Sequence, residues 1–510
     1  MSVFRIKAIE SMSMKTLFIC CSLSIFPLHL LVGQTINSCL LDAGTKKGIP
    51  YATVQFGTHQ GVISNGEGVF GIVLEEGAPK PDSIHISSMG YETMSIALDQ
   101  IRDSILLRPK AIDLEGVYLF DRELSVGDII DKMRERIPHN INGDPIKQRI
   151  FIRNSQGNHI ERLDLGFEKS TIVELDQELV DSISNSVPRD ASHFTESLMD
   201  LYKHGTEYKL DILRAAELYN KDKVASLEDL GKRLEGIFTR NIKRDSYLKI
   251  KSGIFSQKME VDTIMWALGD ERGNGRVGTE EKHGEKPKFL ESQRHVLGSL
   301  LKELQYMEDS DFDLIRKINR YEFELVGHTE IDGVGAYVID FLPKGNRADF
   351  KGRLHINMED FAIMRLEFTN VRPLRNFRLL GITFREESYR GSVRFVKLSN
   401  GRYDLRFMEF VRGNHLTVKR PLKVVEKNKH VKGRRKQNEL KLNLDFGMDP
   451  VQTMEVVVFR QELIDPSEFA SQSEDENVRS TYMPVYDPGF WRGHNIMEPN
   501  QALMEFRAEQ

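Results

Sequence analysis

Two short runs place a histidine three residues before a glutamate: His193-Phe194-Thr195-Glu196 and His204-Gly205-Thr206-Glu207. This is the short half of a zinc-hydrolase ligand set, which also needs a distant histidine and an open position for water. With fourteen histidines in a glutamate-rich chain, on the order of one such match is expected by chance. Neither run carries a further hydrolase feature, and no His-Glu-x-x-His, Cys-x-x-Cys or Gly-x-Ser-x-Gly accompanies them. Gly273-Asn274-Gly275-Arg276-Val277-Gly278 matches the glycine fingerprint of dinucleotide sites. That chemistry needs a buried strand before the glycines and a helix opening after them. Charged loop residues flank this copy on both sides, so it reads as a loop. The residues thus offer no catalytic, cofactor-binding or metal set, and the expectation is a protein that is not an enzyme.

The remaining concentration of chemistry is basic. Lys419, Arg420, Lys423, Lys427, Lys429, Lys432, Arg434, Arg435 and Lys436 crowd one segment. The favoured reading is a solvated hairpin tip; the functional one is contact with an anionic surface such as lipid headgroups. On the first reading, changing Lys432, Arg434 and Arg435 to Gln leaves binding to anionic vesicles unchanged.

The elements that must position these residues are mostly strands. Between Gly48 and Leu114, apolar runs alternate with Gly, Asn and Asp turns, as a small antiparallel β-sandwich requires. Ser64-Asn65-Gly66-Glu67-Gly68 is the clearest turn. Ser125 then caps a helix whose Val126, Ile129, Ile130, Met133 and Ile137 recur at helical spacing, with Pro138 as its end. Residues 146–190 look β-like. Residues 195–245 look helical, with stripes at Leu198, Leu201 and Tyr202, at Leu210, Leu213, Ala216 and Leu218, and in a third helix capped by Ser226. Residues 269–288 read as a charged loop and 289–318 as helix again. From Tyr321 onward, strands with polar turns suggest a long antiparallel meander. Trp491 and Phe490 are expected to pin a polar tail back onto the body.

A chain of 510 residues carries several domains. Its net charge of −5 argues against a dedicated nucleic-acid binder. Residues 1–33 read as a signal peptide: Lys15 precedes an apolar run ending near Gly33–Gln34, with Met14 a plausible true start. An uncleaved anchor is the alternative, disfavoured by Pro27 and His29 inside the run. Phe18-Ile19 before Cys20 excludes lipidation there. Cleavage would leave Cys39 alone, so no intrachain disulfide is expected.

Gly48-Ile49-Pro50-Tyr51-Ala52-Thr53-Val54, Ser64-Asn65-Gly66-Glu67-Gly68-Val69-Phe70 and Ile86-Ser87-Ser88-Met89-Gly90-Tyr91 together resemble the carboxypeptidase-like regulatory domain. The resemblance covers residues 35–116. It implies a transthyretin-like β-sandwich in a Gram-negative envelope protein, exported to the periplasm or outer membrane. It implies no peptidase activity, since that domain is only appended to zinc carboxypeptidases. Ser246–Ser256 and Phe490-Trp491 are similar to stretches in uncharacterised envelope proteins. The run from Tyr321 to Phe368 also resembles the half-barrel of lipoprotein carriers.

The resulting expectation is a mostly-β chain with an α+β body. A sandwich spans 35–116, a helical linker 117–145, and a mixed body with a helical insert 146–318. A long antiparallel sheet covers 319–465, ahead of a tail at 466–510. The expected role is an envelope binding or scaffold protein with a protein or lipid partner and no nucleic acid. A periplasmic lipid or lipoprotein carrier with a half-barrel groove is the alternative, and a zinc hydrolase the least favoured. An open apolar concavity facing the helices would favour the carrier; a groove filled by the chain's own side chains would count against it.

Overall fold

The computed structural model describes residues 35–508 apart from 58–59, 75–79, 111–123, 244–245, 254, 261–287, 305–310, 429 and 431–434. The signal segment, the 273–278 glycines and the tip of the basic run at Lys429, Lys432 and Arg434 lie outside these residues.

Two small sheets come first. Strands β1 (Thr35–Asp42), β4 (Val69–Val73) and β7 (Ser104–Leu107) form one, in the order β4-β1-β7. Strands β2 (Thr53–Gly57), β3 (Gln60–Ile63), β5 (Ser83–Ser87) and β6 (Met94–Ala97) form the other, in the order β3-β2-β5-β6. Leu40, Val54, Phe70, Ile72, Ile84 and Ile86 are fully buried between them, so the expected sandwich is present. Asn65 builds its main turn by accepting from the Glu67 and Val69 amides at 2.9 Å. Gly68 closes that turn at φ +87°, where a Cβ would stand 2.5 Å from the Leu40 carbonyl oxygen. Strand β2 begins later than the alternation suggested, because Tyr51 has φ +54°.

Ser125 caps its helix as expected, and Asp128 makes the cap reciprocal: the Ser125 hydroxyl accepts from the Asp128 amide, and the Asp128 carboxylate accepts from the Ser125 amide. Helix α1 spans Val126–Asn140, and Pro138 sits inside its last turn rather than ending it. The Ile137 carbonyl accepts from the Ile141 amide at 3.2 Å, which closes the C-cap.

The body is one 14-stranded, open sheet. Its members are β8 (Ile146–Ser170), β9 (Asp190–His204), β10 (Glu207–Leu218), β11 (Ser246–Ser252), β12 (Phe255–Glu260), β13 (Tyr321–Ile331), β14 (Val334–Pro343), β15 (Phe350–Asn357), β16 (Ile363–Asn370), β17 (Asn376–Leu379), β18 (Ile382–Lys397), β19 (Tyr403–Asn428), β20 (Lys436–Leu463) and β21 (Thr481–Tyr482). The path runs β13-β14-β15-β16-β18-β19-β20-β8-β9-β10-β21, with β17 beside β18 and the β11–β12 hairpin on β19. This unclosed sheet has the form of a half-barrel. The expected meander is present from β13 on, and its last three members, β18 to β20, are very long strands bent at register shifts such as Arg394/Phe395 and Gly447/Met448.

Helices α2 (Gln177–Ser186), α3 (Lys221–Asn241) and α4 (Phe289–Leu304) are followed by the short α5 (Pro466–Ser471) and α6 (Gln501–Glu505). The helical expectation for 195–218 is wrong: these residues are the β9–β10 hairpin. Only the third helix exists, and Asn220 caps it, accepting from the Lys223 amide at 2.8 Å, so Ser226 lies within the helix. The helix expected over 289–318 is confirmed for 289–304.

The central strands are buried on both faces. Ile150 and Ile152 face the helices, while Phe151 between them packs with the sandwich and tail. Met199 and Leu198, Met408 and Phe407, and Val456 and Val457 divide the same way. Apolar residues therefore stand on both faces of these strands, with charged ones such as Asp200, Arg406 and Glu455 among them. No helix among the described residues is long and apolar enough to cross a membrane.

Candidate functional site

The structure separates the sequence candidates. His193 and Glu196 are three apart on strand β9, and successive side chains of a strand alternate faces, so these two point oppositely. The His193 ring meets the Tyr219 ring edge-on at 5.4 Å. Glu196 is fully buried against Arg153. His204 and Glu207 are cross-strand neighbours around the Gly205-Thr206 turn, and the His204 ring packs against Phe469. Among the described residues, no group of His, Cys, Asp and Glu could hold a metal.

The described part of the basic segment lies on the antiparallel pair β19 and β20, and the tip between them lies outside the described residues. Much of its charge is spent locally. Lys419 pairs with Asp445 at 2.7 Å, and Lys423 with Glu439 at 2.8 Å. Lys436 also pairs with Glu439, and Arg420 donates to the Ser252 carbonyl.

What the sequence did not expose is a ladder of charge across the sandwich-facing side of the sheet. Register places Asp340, Arg353, Glu367, Ser392, Glu409, Glu455, Arg153 and Glu196 opposite one another on successive strands. Arg153 and Glu196 form its buried end, at 2.6 Å with side chains 1% and 0% exposed. Glu196 also accepts from the Trp491 indole N–H at 3.0 Å, and Arg153 donates to the Met497 and Glu498 carbonyls. Burial pushes the Glu196 carboxyl up while Arg153 pulls it back. Tyr51 reaches from the sandwich to donate to Glu409 at 3.0 Å. The expected pinning of the tail by Trp491 is thus achieved through a bond as well as by packing. Only the strand register reveals the ladder, because its members lie up to hundreds of residues apart.

The other face of the sheet is covered by helices, and most of its concavity is filled. Phe312 stacks on Phe368 at 4.1 Å and meets Phe350 and Phe341 edge-on. Gly391 lets this cluster close, since a Cβ there would lie 2.5 Å from both Phe368 and Phe410. Leu314, Ile318 and Tyr321 complete the filling over strands β13–β16.

The filling stops between α1 and α4. There a cavity of about 350 Å³ lies over β8, β9, β19 and β20. Leu297, Leu301 and Leu304 of α4 form one wall. Ile150, Leu201, Leu405, Val456 and Val458 form the floor. One end is polar. Lys203 donates to both Asp404 oxygens at 2.7 and 2.8 Å, and Asn142 donates to the same carboxylate at 3.1 Å. Tyr403 sits beside them and hydrogen-bonds Asp360; burial, reinforced by Asp360, pushes its phenol well above the usual range. The volume falls within the roughly 300–1,000 Å³ of small-molecule sites, and so does the pattern of apolar walls with a few convergent polar groups.

No family model and no curated protein matches the chain. Three solved structures align with it over most of their lengths. One is a DUF1329 family protein from Desulfovibrio piger, at 8% identity and TM-score 0.19, covering 68% of this chain and 96% of that one. A domain described as an outer membrane lipoprotein-sorting protein, from Vibrio parahaemolyticus, aligns at 8% identity and TM-score 0.18, covering 67% and 95%. A LolA superfamily protein from Nitrosomonas europaea aligns at 10% identity and TM-score 0.16, covering 69% and 99%. Scores this low leave the functional reading to the geometry. None of the three is a carboxypeptidase-like regulatory domain. That likeness rests on the three sequence motifs alone.

Proposed function

We propose that this chain is a non-enzymatic, exported binding protein that holds an apolar, acyl-type ligand between its half-barrel and helices α1 and α4. The observation that carries this reading is the 350 Å³ cavity, lined mostly by apolar side chains with Lys203, Asp404 and Asn142 among its polar ones. A chain-like ligand would lie against Leu297, Leu301 and Val458, with its polar end at Lys203, Asp404 and Asn142. The cavity is what remains open of a concavity otherwise filled by Phe312 and its neighbours. It therefore fits one compact chain better than a large lipid.

This reading, second in the sequence analysis, is favoured over a scaffold built on the sandwich. The sandwich spends one side on the sheet, through the core it shares with Phe151, Phe407 and Val457. That leaves less of it for docking or spacing a partner. The signal-like sequence at 1–33 supports export, which suits a carrier.

The test is titration of the delipidated chain with a fluorescent fatty acid. The wild type should bind, and Leu301→Trp, which fills the cavity, should weaken binding by at least about tenfold, the cost of roughly 1.4 kcal/mol. An unchanged melting temperature in the variant would exclude misfolding. Equal binding by both proteins, or none by either, would overturn the reading.

A further inference from the structure

On the sandwich-facing side of the sheet, register sets His355 opposite Arg365 and Arg365 opposite Arg394. Arg394 in turn faces Phe407, and Arg406 is the extra residue of the bulge beside it. Arg353 stands two residues before His355 on the same face. Like charges directly opposite on a sheet are destabilising, so this row works against the fold unless something compensates.

Local partners compensate only part of it. Arg353 is paired with Asp340 and Arg365 with Glu367. Arg394 donates to the Tyr51 carbonyl and lies over the Phe407 ring. Arg406 donates to the Phe459 carbonyl at 3.4 Å, beneath Gly61 of the sandwich. Among the described residues, no carboxylate forms an ion pair with Arg394 or Arg406. The Nε atoms of Arg365 and Arg394 and Nδ1 of His355 are shut from solvent without a hydrogen-bond partner. Burial, with Arg365 adding to it, pushes the Arg394 guanidinium well below its ordinary value against the opposing pull of Glu367 and Asp332, and burial takes Arg406 down to about 10 against Asp332. His355, 1% exposed, is held neutral by burial and by the neighbouring arginines.

These groups line a crevice of about 240 Å³ between the sandwich and the sheet. Its acidic members, Glu330 and Asp332, lie on the β13–β14 turn side. We propose that this crevice binds a phosphate group, held by Arg394 and Arg406 with Arg365 and His355 as further donors. Guanidinium forks match phosphate oxygens in shape and charge. Two cations without ion pairs and three unfilled nitrogens suit a dianionic tetrahedral group better than a carboxylate with one charge. The phosphate of a soluble ester and that of a lipid headgroup would present the same oxygens.

The experiment is calorimetric titration of the full mature chain in phosphate-free buffer. Inorganic phosphate, a short-chain phosphatidic acid and acetate are compared. Phosphate should bind, and Arg394→Gln and Arg406→Gln should each weaken it by at least about tenfold. Without phosphate, Arg394→Gln should melt no lower than wild type, because it removes a buried charge; with phosphate, the order should reverse. Binding of phosphatidic acid alone, with the same losses, would support the site and assign the phosphate to a lipid. Leu301→Trp should leave this binding untouched, which separates it from the apolar cavity. The proposal is overturned if neither phosphate binds, if both variants bind as wild type does, or if acetate binds as tightly.

Discussion

Arg153 joins three parts of the molecule with one guanidinium. It lies on β8, pairs with Glu196 on β9, and donates to two carbonyls of the tail. Replacing it with Ala leaves Glu196 buried and unpaired. The expected loss is about 3–5 kcal/mol in urea unfolding, as for other broken buried pairs, with the tail past 480 becoming open to protease. Glu439 makes a different prediction, one of pH. Lys423 and Lys436 hold its carboxyl at about 2, against an ordinary 4.5. A depressed carboxylate contributes stability that is whole above its ordinary value and is lost as pH falls toward the depressed one. Wild type should therefore exceed Glu439→Gln in stability at pH 6, and the gap should shrink between pH 4.5 and 2. Urea unfolding across that range checks it; a gap independent of pH would refute the assignment.

At the scale of elements, the stretches of β8, β9, β19 and β20 around Phe151, Met199, Phe407 and Val457 should exchange amide hydrogens slowest, since both of their faces are covered there. Hydrogen exchange would show this directly, with β17 and β12 at the edges exchanging first. Phe312→Ala should cost about 3–5 kcal/mol by emptying the aromatic cluster, read as a fall in the urea midpoint. The doubly covered strands also explain what the sequence concealed. In β9, Leu198, Met199, Leu201 and Tyr202 are all buried, so no two-residue alternation survives and a spurious helical stripe appears. Where one partner sheet packs and the other face meets water or a turn, the pattern is legible, as in β1–β7. The Ser125 cap was legible because its chemistry is local. The cavity, the charge ladder and the arginine row were not, because each is assembled by strand register between distant segments.

The whole molecule is a curved sheet with helices in its hollow and a β-sandwich, braced by the C-terminal tail, on its other side. The hollow is filled over β13–β16 and open over β8, β9, β19 and β20. That division locates the proposed ligand and limits its size. The most direct test is native mass spectrometry of the protein, purified gently from its own cells beside the Leu301→Trp variant. The account predicts a lipid-sized adduct on the wild type that the variant lacks. A clean apo mass for both, or an adduct that survives the substitution, would contradict it.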